Sequence, residues 1–114
     1  MSNPVTQLIQ QLNQAPVDFK KVIEVIENHY DFTPTEFKNG QTLNTANSNN
    51  GSCKIFAFGQ LNQLSEQAIL NAFGQFYTQD VLQNPNGDDH QNIRNFMQSG
   101  WQGVTFTQQA LTPK

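Results

Sequence analysis

The stretch Gly51-Ser52-Cys53-Lys54-Ile55-Phe56-Ala57-Phe58, running on to Leu64, decides how the chain is read. Its bare apolar run at 55–58 suits a buried strand. Ile55, Phe58, Leu61 and Leu64, however, recur every three residues, a spacing that places side chains on one helix face. A buried helix is therefore expected, opening after the polar segment 45–51, which has no apolar anchor but Ala46 and reads as an exposed loop.

Upstream, Val5, Leu8, Ile9 and Leu12 follow the i, i+3, i+4, i+7 pattern, with Asn3 placed to cap and Pro4 in the first turn. Pro16 interrupts, and a second helix is expected over 17–30, presenting Phe19, Val22, Ile23, Ile26 and Tyr30 on one side. The two should form an antiparallel helical hairpin. Asn39-Gly40 then sits between 35–38 and 41–44, a pair suited to the positive φ angles of a tight β-hairpin. A lone hairpin is marginal in water, and the alternating run near 104–109 supplies a third strand.

Downstream, Ser65 is a natural N-cap, with Glu66 where the helix dipole favours a negative charge. Ile69, Leu70, Phe73, Phe76 and Tyr77 form the apolar face of the helix that follows, with Gly74 inside it to admit a neighbouring backbone. Asn84-Pro85-Asn86-Gly87 turns the chain. A last helix is expected from near Asp89 to just before Gly100, burying Ile93, Phe96 and Met97, with Trp101 plugging the core behind it. The fold class is α+β: about five helices packed on a small antiparallel sheet, in one domain spanning residues 1–114.

Composition agrees with a packed domain. Of 114 residues, 36% are apolar and 13% charged, against roughly 25% charged in an average globular chain. Amides fill the gap, with 14 Asn and 16 Gln, yet they alternate with apolar positions and do not form tracts. Nine Phe supply the bulk that disordered chains lack. Six Lys and Arg against nine Asp and Glu give a net charge of −3, and the cations are scattered, so nucleic acid is excluded as a partner. No apolar run approaches the roughly 20 residues of a membrane span, and no basic then apolar leader precedes the first helix. Those readings, with a lone Cys53, point to a reducing cytoplasm and to no membrane partner.

Two segments carry the polar residues worth weighing. In the first, Cys53 lies in the first turn of the expected helix, where the dipole and neighbouring Lys54 would lower a thiol's pKa; its plainer reading is a small buried apolar residue. In the second, Asp88-Asp89-His90 leads into Asn92, Arg94 and Asn95. His90 and Arg94 share a helix face, so Arg94, with Asn92, Asn95 and Lys54, is placed to grip a small anionic ligand while Asp89 orients His90. A cap and a solvated polar face explain the same residues without chemistry. A thiol hydrolase would bring Cys53 to His90 with Asp89 behind it. No spacing of His, Cys, Asp and Glu matches a metal site, and no glycine-rich loop suggests a phosphate cofactor, so none is expected.

Tyr30-Asp31-Phe32-Thr33-Pro34, the 51–58 stretch, Asp89-His90, Asn92-Ile93-Arg94-Asn95-Phe96-Met97 and Gly100-Trp101 together resemble the HopJ family along nearly the whole chain. The resemblance implies a type III secreted effector that acts inside a host cell on a partner not established for the family. It implies no catalytic class. A role in the bacterial cytoplasm, with a bacterial protein as partner, is the other reading. Residues 1–17 carry no charged side chain, as type III signals often do not, although a docked amphipathic helix explains the same pattern. The reading that results is a non-enzymatic interaction or ligand-binding domain; the alternative is a small thiol or acid–base enzyme using Cys53 and His90.

Overall fold

The computed structural model describes residues 3–114 and confirms an α+β fold. Helices α1 (Pro4–Leu12) and α2 (Phe19–His29) pack together, followed by strands β1 (Tyr30–Phe32), β2 (Phe37–Asn39) and β3 (Thr42–Asn44). Then come α3 (Asn50–Leu61), α4 (Glu66–Ala72), a π-helical turn (Phe76–Val81), α5 (Gln91–Ser99) and a 3-10 turn (Gly100–Gly103). Strands β4 (Val104–Phe106) and β5 (Leu111–Pro113) complete the chain.

The 51–58 stretch is helical, as its spacing requires. Phe56 of α3 lies at the centre of the core, fully buried, with ring centroids 5.2 Å from Phe96, 5.7 Å from Phe73, 5.9 Å from Phe37 and 6.3 Å from Trp101. One side chain thus joins α3 to α4, α5, the hairpin and the 3-10 turn, in the tilted and edge-on arrangements that aromatic quadrupoles favour. Trp101 packs edge-on against Phe96 and donates its indole N–H to the Leu64 carbonyl at 2.9 Å, which fastens α5 to the chain between α3 and α4.

The caps at Asn3 and Ser65 form as read, accepting from the backbone N–H of Val5 and Ala68. The hairpin forms too, turning at Gly40 with φ +61° and pairing Phe37 with Asn44 and Asn39 with Thr42. β4 joins it antiparallel on the β2 side, so the sheet order is β3-β2-β4.

Four expectations need correction. The strand read near 104–109 forms but is confined to Val104–Phe106, and an unforeseen strand, β5, follows it and pairs antiparallel with β1 in a separate two-stranded ribbon. Tyr30 fits the apolar face of α2 by spacing but has extended backbone (φ −138°) and belongs to β1; α2 itself begins at Phe19. The last helix starts at Gln91, because His90 adopts a left-handed conformation (φ 50°) that no right-handed helix continues, and its Met97 is exposed. The helix capped by Ser65 ends at Ala72, and the chain resumes as a π turn.

Gly74 explains that last break. Its φ of +58° turns the chain, and a side chain there would meet the Val17 carbonyl at 2.6 Å and the Phe19 nitrogen at 2.9 Å. The backbone entering α2 therefore lies directly on the glycine. Gly74→Ala adds both a left-handed non-glycine residue and a backbone clash, and should cost about 2 kcal/mol or more. Thermal unfolding should show a midpoint lower by about 10 °C; an unchanged midpoint would mean that the close approach is readily relieved.

Candidate functional site

The start of α3 and the entrance to α5 converge on one side of the molecule. Between them lies a cleft of about 440 Å³ bordered by Gly51 and Ser52 from the first and by His90, Gln91 and Asn92 from the second. Its remaining wall comes from the hairpin and from the α2 and π-turn aromatics.

One wall is amide. Asn44 at the end of β3 and Asn92 in α5 exchange reciprocal bonds: Asn92 Nδ2 donates to Asn44 Oδ1 at 3.0 Å and Asn44 Nδ2 to Asn92 Oδ1 at 3.1 Å. Asn49 Nδ2 donates to Asn44 Oδ1 at 2.7 Å, and Asn39 Nδ2 reaches Asn92 Oδ1 at 3.1 Å and the Asn92 carbonyl at 2.8 Å. Asn44 also donates to the Phe37 carbonyl, so all four of its hydrogen-bonding positions are used. Such a satisfied network is rigid.

The opposite wall is aromatic. Phe19 meets Phe76 edge-on at 5.0 Å and stacks on Phe73 at 6.3 Å, and its ring lies over Gly51. The His90 imidazole lies against Phe76 at 5.2 Å, tilted by 31°. Its Nε2 is 3.0 Å from Asp80 Oδ2, within the π turn, and 4.0 Å from Asp89 Oδ2. Asp80 therefore holds the ring that Asp89 was expected to orient. The π geometry and the left-handed backbone at His90 are both uncommon, and such departures cluster where function constrains the chain.

The other candidates lie elsewhere. Cys53 is 1% exposed, borders no part of the cleft, and points its thiol at the Thr35 carbonyl, 3.6 Å away. Burial pushes its pKa up, partly offset by that hydrogen bond and by the Lys54 charge. Lys54 pairs with Glu27 at 2.8 Å and lies 4.9 Å above the Phe32 ring. Arg94 is a strut for the turn before α5: it bonds the Asp89 carboxylate and carbonyl, both at 2.6 Å, and the Asn84 carbonyl at 2.9 Å. The guanidinium beside Asp89 holds its carboxyl below the usual carboxylate range. Asn95 clips α5 to the hairpin through the Asn39 carbonyl and Thr42 Oγ1. Of the residues picked out in the sequence, only His90 and Asn92 border the cleft. Asp80, Asn44, Asn49, Ser52 and the aromatic wall were missed. The one available signal was the asparagine run 47–50 before a helix, where left-handed caps are tolerated. Among the described residues, no three His, Cys, Asp or Glu side chains gather closely enough to hold a metal ion.

Burial of the thiol has a pH consequence with a definite sign. An unfolded thiol ionises near about 8.5 and the folded one only at higher pH. The native state's advantage is complete below the unfolded value and is lost as pH rises through the folded one. Urea unfolding between pH 7 and 10 should therefore show the wild-type chain losing stability with pH faster than Cys53→Ala; parallel slopes would contradict a raised thiol.

One of the comparisons with known proteins names a family. A family model described as HopJ type III effector protein matches residues 5–111. A crystal structure titled as that of the unknown function protein VPA0580 is similar over 100% of this chain and 97% of its own, at 52% identity with a TM-score of 0.95. Among curated proteins no significant match was found. With the model covering nearly all of the sequence, the chain belongs to the HopJ family.

Proposed function

We propose that this HopJ-family chain is a non-enzymatic ligand-binding domain whose cleft between α3 and α5 takes a small uncharged molecule. The observation that carries the reading is the contrast between the two walls: the rings of Phe19 and Phe76 and the buried amide pair of Asn44 and Asn92 border one cleft of about 440 Å³. A concave site with an apolar side and a few fixed polar groups is the usual form of a small-molecule pocket, and its volume lies in their range. The lining includes no Lys or Arg, and the two cations once assigned to an anionic ligand are engaged with Glu27 and Asp89. A thiol hydrolase finds no support, since the attacking thiolate needs exposure and a lowered pKa, and Cys53 has neither.

An acid–base enzyme has one observation in its favour, the Asp80–His90 pair at the cleft. A single experiment separates the two readings. In amide NMR spectra recorded against a fragment library, binders should shift Gly51, Ser52, Gln91 and Asn92, and Phe76→Ala should weaken them by about tenfold or more. Every binder should persist unchanged during long incubation. Turnover of a bound compound, abolished by His90→Ala, would replace the binding reading with the enzymatic one; a library that leaves the cleft untouched would end both.

For the family's effector role, we propose that the uncharged segment 1–17 is the export signal. α1 is held by Leu8 and Leu12, both buried, and by Asn71 Nδ2 donating to the Leu12 carbonyl at 2.8 Å. Val5 and Ile9 pack on the core beside them and Lys21 Nζ donates to Gln11 Oε1, so export requires this terminal helix to open ahead of the domain. A reporter fused to residues 1–17 should leave cells through a type III apparatus and stay inside when that apparatus is deleted. Retention in both strains would make the chain a resident of the bacterial cytoplasm.

A further inference from the structure

We propose that the cleft selects a planar cyclic amide, a ring with N–H and C=O side by side on one edge, as in pyridones and pyrimidine bases. This rests on the reading of the cleft as a ligand site and adds the chemistry of the ligand.

Charge comes first. No Lys or Arg lines the cleft, and the Asp80 and Asp89 carboxylates beside His90 oppose an anion there, so the partial positive charge of the two helix starts is left to the carbonyl dipole of a neutral guest. Shape comes next. Phe19, Phe76 and the imidazole of His90 form a run of ring surfaces, and a flat guest recovers stacking energy on them that a branched aliphatic one does not.

The hydrogen-bonding groups then set the edge. Asp80 is a carboxylate and can only accept, so in the neutral imidazole Nε2 carries the proton and donates to it. Nδ1 of a cleft residue is thereby fixed as an acceptor, awaiting an N–H. Donors are supplied beside it. Asn92 Nδ2 has one N–H beyond its bond to Asn44, and neither α3 nor α5 receives a side-chain cap. The first-turn N–H groups of Gly51, Ser52, Gln91 and Asn92 thus lack intrahelical partners at the cleft, and a carbonyl oxygen satisfies them. Asn44 adds nothing, since its amide is fully spent within the protein. An adjacent N–H and C=O on a flat neutral ring meets all of these requirements together. A carboxylate lacks the donor, and an open-chain amide lacks the ring.

The test uses the whole chain and small probes, followed by amide NMR. 2-Pyridone and uracil carry both features; 1-methyl-2-pyridone keeps the ring and carbonyl but has no N–H; acetamide keeps the edge without the ring; benzoate keeps a ring with a charge. The first two should titrate Gly51, Ser52, Gln91 and Asn92 to saturation, with 1-methyl-2-pyridone, acetamide and benzoate at least tenfold weaker. Asp80→Asn, at a half-exposed position, puts an amide that can either accept from Nε2 or donate to it, and should release the ring from the single Nε2–H tautomer, seen in the imidazole nitrogen shifts with His29→Gln identifying the His90 signals. The same variant should reduce the preference for 2-pyridone over its N-methyl analogue. Equal binding of the N-methyl compound or of benzoate by the wild-type chain would overturn the cyclic-amide assignment while leaving the cleft a binding site. So would inert lactams alongside other fragments that do bind. Silence from every probe and fragment would instead remove the ligand-site reading beneath it.

Discussion

The reciprocal amide pair between Asn44 and Asn92 is the contact on which the arrangement around the cleft depends. Both side chains are almost wholly buried, where an unpaired amide costs several times what a paired one contributes. The pair is therefore stable only while β3 and α5 sit at one distance and angle, which Asn39, Asn49 and Asn95 reinforce from three sides. Losing either partner would strand the other's donors and acceptors in the interior. One stress remains within the network: Asn39 Oδ1 is buried with no partner among the described residues, although its amide nitrogen makes two bonds. A chain in which about a quarter of the residues are Asn or Gln thus uses a few of them where most proteins of its size would place aliphatic side chains.

The aromatic core supports this pair from behind. Phe56 fixes α3 against α5 through Phe96, and Phe37, directly after the β1–β2 loop, stacks on Phe106 at 5.1 Å and touches Phe56. Helices α3 and α5 consequently present their first turns side by side. Their caps, Asn49 and His90, are both left-handed and both leave the helix ends uncapped; of the four non-glycine residues with left-handed backbone among the described residues, Gln63 alone lies away from these two helix entrances. Consistency among propensity, packing and polar satisfaction usually fails at sites that do something.

Much of the fold was legible because its signals are local. Three-residue spacing in 55–64 marked α3, Asn39-Gly40 marked the hairpin, and Ser65 and Asn3 marked helix starts. The β1–β5 ribbon was not legible: three-residue strands carry too little alternation, and Tyr30 satisfies the helical period of α2 as well as the strand it joins. The site was half legible. His90 and Asn92 stood out as polar residues at a helix entrance, but Asp80 meets His90 across a turn that no periodicity encodes, and nothing in the sequence distinguishes Asn44 from the other thirteen asparagines. Cys53 kept its plainer reading: a helix start suggests an activated thiol, but its side of α3 faces the core.

The sheet connections impose an order on how the molecule is made. Among the described residues, β2 gains its second neighbour from β4 and β1 pairs with β5 alone, so both sheets wait for residues 104–113. Before those residues, the preceding nine-tenths or so of the chain has its helices and a lone hairpin but open strand edges. Pairings between segments this far apart close late, since the loop entropy comes due before the contacts that offset it. The nascent chain is therefore at its most adhesive just before synthesis reaches those strands, and completes itself in one step once they are released.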